Sequence, residues 1–377
     1  MKDPFVQKQG FIIFNMILLD APNLGSLEKE YAGKAIDAGF ISTFGPFVPE
    51  FEKKFAAFIG ADAAVSLQSG TAALHMALHQ LGIGPGDEVI IPALTFVGSV
   101  NPVMYTGAVP VFVDVEESTW CLDPAAVERA ITSKTKAIIA VHLYGNVCAM
   151  TALMNIAKRH NIHVIEDATE SLGAVYNGKA TGLYGTFGCF SFNGNKLITT
   201  GGGGMLVSSD SDRLEPVRRL INQGKDKTRE GFFSDVGFNY RMTNLEASVG
   251  LAQMQRIDDF LRQKRKYHVI YREELSNFKR VIFPQEPEGG SGSWWLTPVR
   301  IMGENMDILR QRLVDLGVQT RRVFRPLTDF PPFAPFSSAE YKNARLIYEQ
   351  GLCLPGSTLN SKEDIREACR IIKNELS

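Results

Sequence analysis

The sequence predicts an α/β fold with a large domain built on a mixed, mostly parallel sheet and a smaller α+β domain at the C-terminal end. Its 377 residues exceed what one hydrophobic core usually organises. Between about residues 60 and 210, short β-branched runs alternate with helical patterns, as in βαβ units. Beyond about residue 245 long helical patterns take over. We therefore predict a large domain over residues 1–255, N-terminal segment included, and a small domain over 256–377.

The individual elements follow from local pattern. Helical composition over 72–81 begins after a Ser-Gly-Thr turn and ends at a glycine, and longer helices are predicted over 244–257 and 261–275. A Gly/Ser-rich break at 289–292 leads into the small domain, and the Pro-rich segment 326–335 is predicted to be a surface loop. Strands are predicted over residues 89–92, 109–114, 137–141, 163–167, 189–192 and 205–208.

Composition excludes several classes of function. The 40 basic residues balance 41 acidic ones, so no overall field attracts nucleic acid or an anionic membrane. The apolar run near the N-terminus is short for a signal peptide, and no run approaches the roughly 20 apolar residues of a membrane span. The five cysteines show neither CxxC nor metal-ligand spacing, which predicts reduced, buried thiols and no metal site. We expect a cytoplasmic protein.

Two motifs fall where strands of a parallel sheet end and ligands collect. The turn at 68–73, Gln-Ser-Gly-Thr-Ala-Ala, opens a helix and exposes backbone N–H groups that can hold a phosphate. Asp167 ends an apolar strand, where its carboxylate can accept a hydrogen bond from a protonated pyridine nitrogen. Taken singly, each motif is more often an ordinary helix N-cap.

Lys196 lies in a polar loop between two strands, ahead of four consecutive glycines, Gly201 to Gly204. A lysine placed there can be partly withdrawn from water, as an amine nucleophile requires. Phe96 follows another strand end and can stack on a flat ring, although a core aromatic is the alternative. The polar run 237–244 has a plain helix entry as its alternative interpretation.

The ordered motifs SGTAAL, GDEVIIPALTF, VHLYGN, EDATESLGA, FSFNGNKLITTGGGG and GFNYRMTN together resemble the DegT/StrS family of sugar aminotransferases. The resemblance runs from about Ile41 to the C-terminus, and the first fifteen residues lie outside it. It implies a fold-type-I transferase that depends on pyridoxal phosphate, with a large α/β domain, a small C-terminal domain and a homodimer whose active sites are shared between subunits.

The resemblance also implies roles around the cofactor ring. Lys196 matches the lysine that forms the Schiff base and shuttles the proton. Asp167 matches the partner of the pyridine nitrogen, Phe96 the stacking aromatic, and Glu170 a neighbour of the ring hydroxyl.

The phosphate end is implied by other motifs. Gly70, Thr71 and Ser191 match the residues that hold the phosphate within one chain. Asn239 matches the residue that reaches the same phosphate from the other subunit.

The implied reaction is amination of a ketone on a nucleotide-linked sugar, with glutamate as the amino donor. The wording of the motifs resembles enzymes of perosamine, bacillosamine and legionaminic acid synthesis, which act at C4 of 4-keto-6-deoxy sugars. By the same likeness Ser42, Thr43 and Arg325 contact the sugar nucleotide, although a solvated surface role for Arg325 remains open.

Several alternatives stay open at this stage. Amination at C3 and dehydration of the sugar use the same fold and cofactor, but dehydratase relatives carry histidine where this chain has Lys196. Arg322 and Thr328 depart from the proline and histidine that relatives often carry. The motifs do not distinguish UDP, GDP and dTDP as the nucleotide.

Overall fold

A computed structural model describes residues 16–377 of the protein. The predicted N-terminal segment, residues 1–15, lies outside the described residues. The helices are α1 Ser26–Asp37, α2 Phe47–Ile59, α3 Gly70–Gln80, α4 Val97–Tyr105, α5 Pro124–Ala130, α6 Met150–His160, α7 Leu214–Leu220, α8 Asn244–Met254, α9 Ile257–Leu275, α10 Met306–Asp315, α11 Lys342–Gln350 and α12 Lys362–Leu376. The strands are β1 Ala64–Leu67, β2 Glu88–Pro92, β3 Val109–Val113, β4 Thr135–Val141, β5 His163–Asp167, β6 Val175–Tyr176, β7 Lys179–Ala180, β8 Phe187–Ser191, β9 Gly204–Val207, β10 Val281–Ile282, β11 Gly290–Ser291, β12 Thr297–Ile301, β13 Arg321–Arg322 and β14 Gly351–Leu354.

The large sheet has seven strands in the order β1-β9-β8-β5-β4-β2-β3. Strands β3, β2, β4, β5 and β8 pair in parallel, whereas β9 runs antiparallel to both of its neighbours. The prediction of a mixed, mostly parallel sheet is therefore confirmed. Strand β4 is buried over residues 137–141, as expected of a parallel strand that is covered on both faces.

The C-terminal part contains a four-stranded antiparallel sheet in the order β10-β12-β14-β13. Helix α9 contributes to two hydrophobic cores, because Phe260 and Leu261 pack with the large sheet's layer while Tyr267 and Tyr271 pack with the small sheet's. The division at residues 255/256 stays a prediction.

The segment that follows residue 16 is attached to the C-terminal part of the chain. Ile17 forms a bridge with Val318, and the backbone of Leu18 exchanges two hydrogen bonds with the side chain of Asn360. The Leu19 carbonyl accepts from the N–H of Gly356 at 2.8 Å. This N-terminal segment therefore packs on the C-terminal part of the chain, although it is far from it in sequence.

The Pro-rich segment departs from the predicted surface loop. It forms two short 3-10 turns, Leu327–Asp329 and Ala334–Phe336. Leu327 and Phe333 are buried in the main core, and the N–H of Leu327 donates to the carbonyl of Ala93 at 2.7 Å. The apolar side chains between the prolines anchor the segment.

The described residues were also compared with the expectations for membrane spans, metal sites and cysteines. Within residues 16–377 no helix combines the length and apolar character needed to cross a bilayer. The same residues contain no cluster of three or more metal-ligating side chains. All five cysteines are free and buried, in agreement with the expectation of buried thiols.

Candidate active site

The carboxyl ends of three neighbouring parallel strands meet at one edge of the large sheet. Register aligns Val141 of β4 with Asp167 of β5, and Asp167 with Cys189 of β8. A cavity of about 400 Å³ lies at this edge. Seven residues named from the sequence line it: Gly70, Thr71, Phe96, Asp167, Glu170, Ser191 and Lys196.

The N-terminus of α3 forms one wall of the cavity. Ser69 caps the helix, its Oγ accepting from the N–H of Ala72 at 3.0 Å. The N–H groups of Gly70 and Thr71, in the first turn, have no acceptor within the helix. A Cβ on Gly70 would lie 2.9 Å from the Cβ of Ser191, so glycine lets the helix start close to β8. The wall can bind an anion such as a phosphate.

Asp167 is held at the floor of the cavity. Its carboxylate is 2 % exposed and accepts from Ser99 Oγ at 2.6 Å and from the N–H of Thr169 at 3.2 Å. Turns rather than a helix follow Asp167, so the alternative of a helix N-cap is wrong. A buried carboxylate fixed in this way can accept a hydrogen bond from a cationic ring nitrogen.

Lys196 projects into the same cavity from the loop after β8. Its side chain is 13 % exposed, and Nζ lies 3.4 Å from Glu170 Oε1. The ammonium also lies over the indole ring of Trp295, 4.1 Å from the ring centroid. The amine is thus shielded from bulk water and held by a carboxylate and an aromatic face.

Glu170 is a buried carboxyl with an unusual environment. Burial raises its pKa above the ordinary value, while the Lys196 charge and the N–H of Tyr144, which donates at 2.8 Å, act in the opposite direction. Glu170 can therefore hold the lysine amine and take up a proton more readily than an exposed glutamate.

An aromatic wall closes one side. The Phe96 ring is 55 % exposed and lies 5.7 Å from the Phe324 ring, centroid to centroid. Tyr144 stacks on Phe324 at 5.1 Å, and its hydroxyl accepts from the N–H of Phe324 at 2.8 Å. An exposed aromatic face beside the cavity is suited to stacking on a flat ring.

The interpretation of the sequence missed several lining residues, among them Ser99, Asn195, Trp295, Arg321 and Phe324. Asn195 lay within the lysine motif, and Arg321 stood four positions before the arginine that was chosen. Nothing in local pattern marks Ser99 or Trp295, because their approach depends on α4 and on the segment before β12.

Four predicted residues lie outside this cavity. Arg325 is exposed, and its guanidinium donates to the hydroxyl of Tyr348 at 2.7 Å. Asn239 is exposed and pairs with Asn222. Ser42 and Thr43 use their carbonyls to accept from the N–H of Asn244 and from the guanidinium of Arg241.

Comparison with known proteins places this geometry in a family. The model of the DegT/DnrJ/EryC1/StrS aminotransferase family matches residues 22–373. The chain belongs to this family. It is therefore an aminotransferase that depends on pyridoxal phosphate.

Individual relatives cover nearly the whole aminotransferase chain. GDP-perosamine synthase of Caulobacter vibrioides is 43 % identical over 93 % of this chain and 95 % of its own length. GDP-perosamine synthase of Escherichia coli O157:H7 is 38 % identical over 93 % and 96 %. The putative sugar aminotransferase Spr1654 of Streptococcus pneumoniae, solved in its PMP form, superposes with a TM-score of 0.91, at 27 % identity over 96 % of this chain and 98 % of its own.

The residues of the cavity fit pyridoxal phosphate. An anion-binding helix start, a buried carboxylate and a shielded lysine amine converge on one space of about 400 Å³, which suits a cofactor of this size. The missing side chain of Gly70 leaves the helix start close to Ser191, whose hydroxyl also lines the cavity.

Proposed function

We propose that the enzyme transfers the amino group of glutamate to a nucleotide-linked 4-keto-6-deoxy sugar. The product is a 4-amino sugar for surface polysaccharide or glycan synthesis in the cytoplasm. The observation that carries this is the convergence of Lys196 and Asp167 on one cavity, in a chain 43 % identical to a GDP-perosamine synthase. The lysine at 196 favours transamination over dehydration.

Under this proposal the cavity divides into a ring site and a phosphate site. Bound pyridoxal phosphate supplies an electron sink next to the carbon that loses a proton. Asp167, fixed by Ser99, keeps the ring nitrogen protonated through a charge-assisted hydrogen bond. Phe96 stacks on the ring. The N–H groups of Gly70 and Thr71, together with the Ser191 hydroxyl, hold the phosphate.

Lys196 carries the proton in both halves of the reaction. Its Nζ accepts the proton from the donor's amine-bearing carbon and later returns one to the sugar carbon. Glu170 at 3.4 Å orients this amine, and Trp295 keeps water away from it.

The sugar nucleotide and the partner subunit complete the proposal. Ser42, Thr43 and Arg325 contact the nucleotide-linked sugar at the outer rim. Asn239 reaches the phosphate site of a second copy of the chain, in a homodimer with shared active sites. Ser42, Asn239 and Arg325 are exposed and Thr43 is half-buried, so a ligand or a partner can reach them.

The decisive experiment supplies glutamate and a panel of nucleotide-linked 4-keto and 3-keto sugars, followed by mass spectrometry. We expect a product heavier by about one mass unit from a 4-keto sugar, because an oxygen is exchanged for nitrogen and hydrogen. Lys196→Ala should abolish it, whereas Lys134→Ala, at an exposed lysine, should not. Loss of water alone would establish dehydration instead, and a product from the 3-keto sugars alone would move the reaction to C3.

A further inference from the structure

Lys264 is a buried lysine of α9 that the proposed reaction does not use. It is 5 % exposed, and its Nζ donates to the carbonyl of Trp295 at 2.7 Å. Burial lowers the pKa of Lys264 to about 8, while the charge of Asp20 acts in the opposite direction, so the amine remains mainly an ammonium at neutral pH. A charged group is costly to bury, whereas an apolar side chain at this position would leave the Trp295 carbonyl without its donor.

Trp295 is held at both ends and faces the amine of Lys196. Its indole Nε1 donates at 2.6 Å to the carbonyl of Asn195, the residue before Lys196 in the chain. Lys196 Nζ lies 4.1 Å from the centroid of the indole ring. A cation over the face of an aromatic ring is attracted by the quadrupole of that ring. The position of the indole therefore affects both the loop that carries Lys196 and the amine itself.

Helix α9 holds the backbone from which this indole projects. Trp294 has a φ of 52°, a left-handed conformation that a residue with a side chain adopts only where its surroundings hold it. Its ring stacks on the ring of His268, with the centroids 3.8 Å apart. Lys264 and His268 lie four residues apart and therefore on the same face of α9. One helix face thus binds two consecutive residues, Trp294 through its ring and Trp295 through its carbonyl.

We propose that Lys264 is a positioning residue for the reaction, because it holds Trp295 in place over the amine of Lys196. The inference rests on the role proposed above for Lys196. Lys264 is not among the described residues that line the cavity, and its hydrogen bond goes to the backbone of Trp295. It therefore acts through the indole rather than by contact with a substrate. Without the ammonium, the Trp295 carbonyl would have one donor fewer, and the indole would be free to move away from Lys196.

The test is the reactivity of the Lys196 amine toward acetic anhydride, in the full-length protein freed of its cofactor. Trace acetylation at one pH depends on the accessibility of an amine and on its unprotonated fraction. Mass spectrometry gives the rate for Lys196 relative to the exposed Lys134. We expect Lys264→Met to raise this relative rate at least about threefold, because the Lys196 ammonium loses the attraction of the indole face. A purely structural lysine would lower stability without changing the rate in the folded protein.

In the holoenzyme the same change should appear in turnover. We expect Lys264→Met to lower kcat about tenfold, because the amine that carries the proton is less well oriented. The KM values for glutamate and for the sugar nucleotide should stay within about twofold of wild type, because Lys264 does not line the cavity. The proposal requires both the faster labelling and the lower kcat.

Matched variants separate the ammonium from its surroundings. Lys266→Met, at an exposed lysine of the same helix, should leave both measurements unchanged. Lys264→Arg keeps a charged donor and should hold the labelling rate within about twofold of wild type. Lys264→Gln has a shorter, neutral donor, so it should raise the rate less than the methionine variant; it also serves if that variant does not fold.

A variant of Trp295 tests whether the indole carries the effect. Trp295→Leu removes the aromatic face and should itself raise the labelling rate of Lys196. Adding Lys264→Met to Trp295→Leu should then change the rate by less than about 1.5-fold, because residues that act through one contact do not have additive effects.

Unchanged labelling of Lys196 in both Lys264→Met and Lys264→Gln would overturn the proposal. So would an unchanged kcat, or an equal effect of Lys264→Met with and without the indole. The labelling needs neither glutamate nor a sugar. A failure of the proposed reaction would instead appear as a missing product with the wild-type enzyme, while the labelling of Lys196 still responds to Lys264.

Discussion

Glu170 shows how one buried side chain couples stability to pH. Burial raises its pKa above the ordinary value of 4.5, which means that the folded protein holds the proton more tightly than the unfolded chain. The stability gained from this binding is fully present below the unfolded pKa and is lost as pH rises through the folded pKa. At neutral pH the ionised carboxylate is therefore less favourable for folding than the protonated form.

Glu170→Gln should remove this pH dependence. The amide oxygen can still accept from the N–H of Tyr144, but the side chain no longer titrates. We expect the free energy of unfolding of wild-type apoenzyme, relative to the variant, to fall as the pH rises above 4.5. Denaturant titrations at a series of pH values measure it, with Glu288→Gln, at an exposed glutamate, as the control. Parallel pH profiles for wild type and Glu170→Gln would contradict the assignment.

Sequence motifs located the groups that belong to short, ordered segments. Asp167 and Lys196 each end or follow a buried strand, so a local pattern was enough to bring them to one edge of the sheet. The arginine that lines the cavity was not found. Arg321 and Arg325 have the same chemistry four positions apart. The chain between them is held by Phe324, which packs on Tyr144 and donates to its hydroxyl, a contact distant in sequence.

The start of α3 depends on the absence of a side chain at Gly70. A Cβ there would meet Ser191 Cβ and Thr169 Cγ2, both at 2.9 Å, and the Phe190 carbonyl at 3.2 Å. The first of these atoms is fixed by the backbone of β8, so the helix or the strand would have to move. The phosphate wall would move with it.

Gly70→Ala should therefore destabilise the protein by about 1–3 kcal/mol, the usual cost of overpacking. Denaturant unfolding of the apoenzyme measures this, and equilibrium titration should show weaker binding of pyridoxal phosphate. Gly194→Ala is the matched control in the lysine loop, because its Cβ would meet its nearest atom, the Gly201 carbonyl, at 4.0 Å. Equal stability of the two variants would show that the close approach of α3 to β8 is not needed.

Elements were predicted best where periodicity and burial agree. The strand 163–167 was predicted to the residue, and helices α3, α8 and α9 lie within a few residues of their predicted bounds. The segment 326–335 has no α-helix or strand, as a loop prediction requires, but it is not wholly at the surface, because Leu327 and Phe333 are buried by residues distant in sequence. Local pattern cannot reveal that kind of burial.

The fold class of the whole molecule was predictable because alternation of strands and helices restricts the topology to a largely parallel sheet. The two cores are less separate than chain order suggests. Helix α9 packs into both, and the segment around Ile17 pairs with Val318, about three hundred residues along the chain. Contacts between residues so far apart in the chain cannot be recognised from a short stretch of sequence.

The proposed sharing of active sites between subunits leads to a prediction about mixed dimers. Asn239 is exposed and lies outside the cavity that its own chain forms, so its proposed contact with the phosphate requires a second copy. Lys196→Ala and Asn239→Ala homodimers should each be severely impaired. After the two variants are mixed and their subunits exchanged, each heterodimer contains one site with both residues intact. Activity should recover to about a quarter of the wild-type value, because half of the dimers are mixed and half of their sites are complete.

A mixture of Lys196→Ala with Asp167→Asn should recover nothing, because both of those residues line the same cavity of one chain. If the first mixture stays as inactive as its components although exchange is shown by mass spectrometry of differently tagged subunits, Asn239 acts within its own chain and the sites are not shared through it.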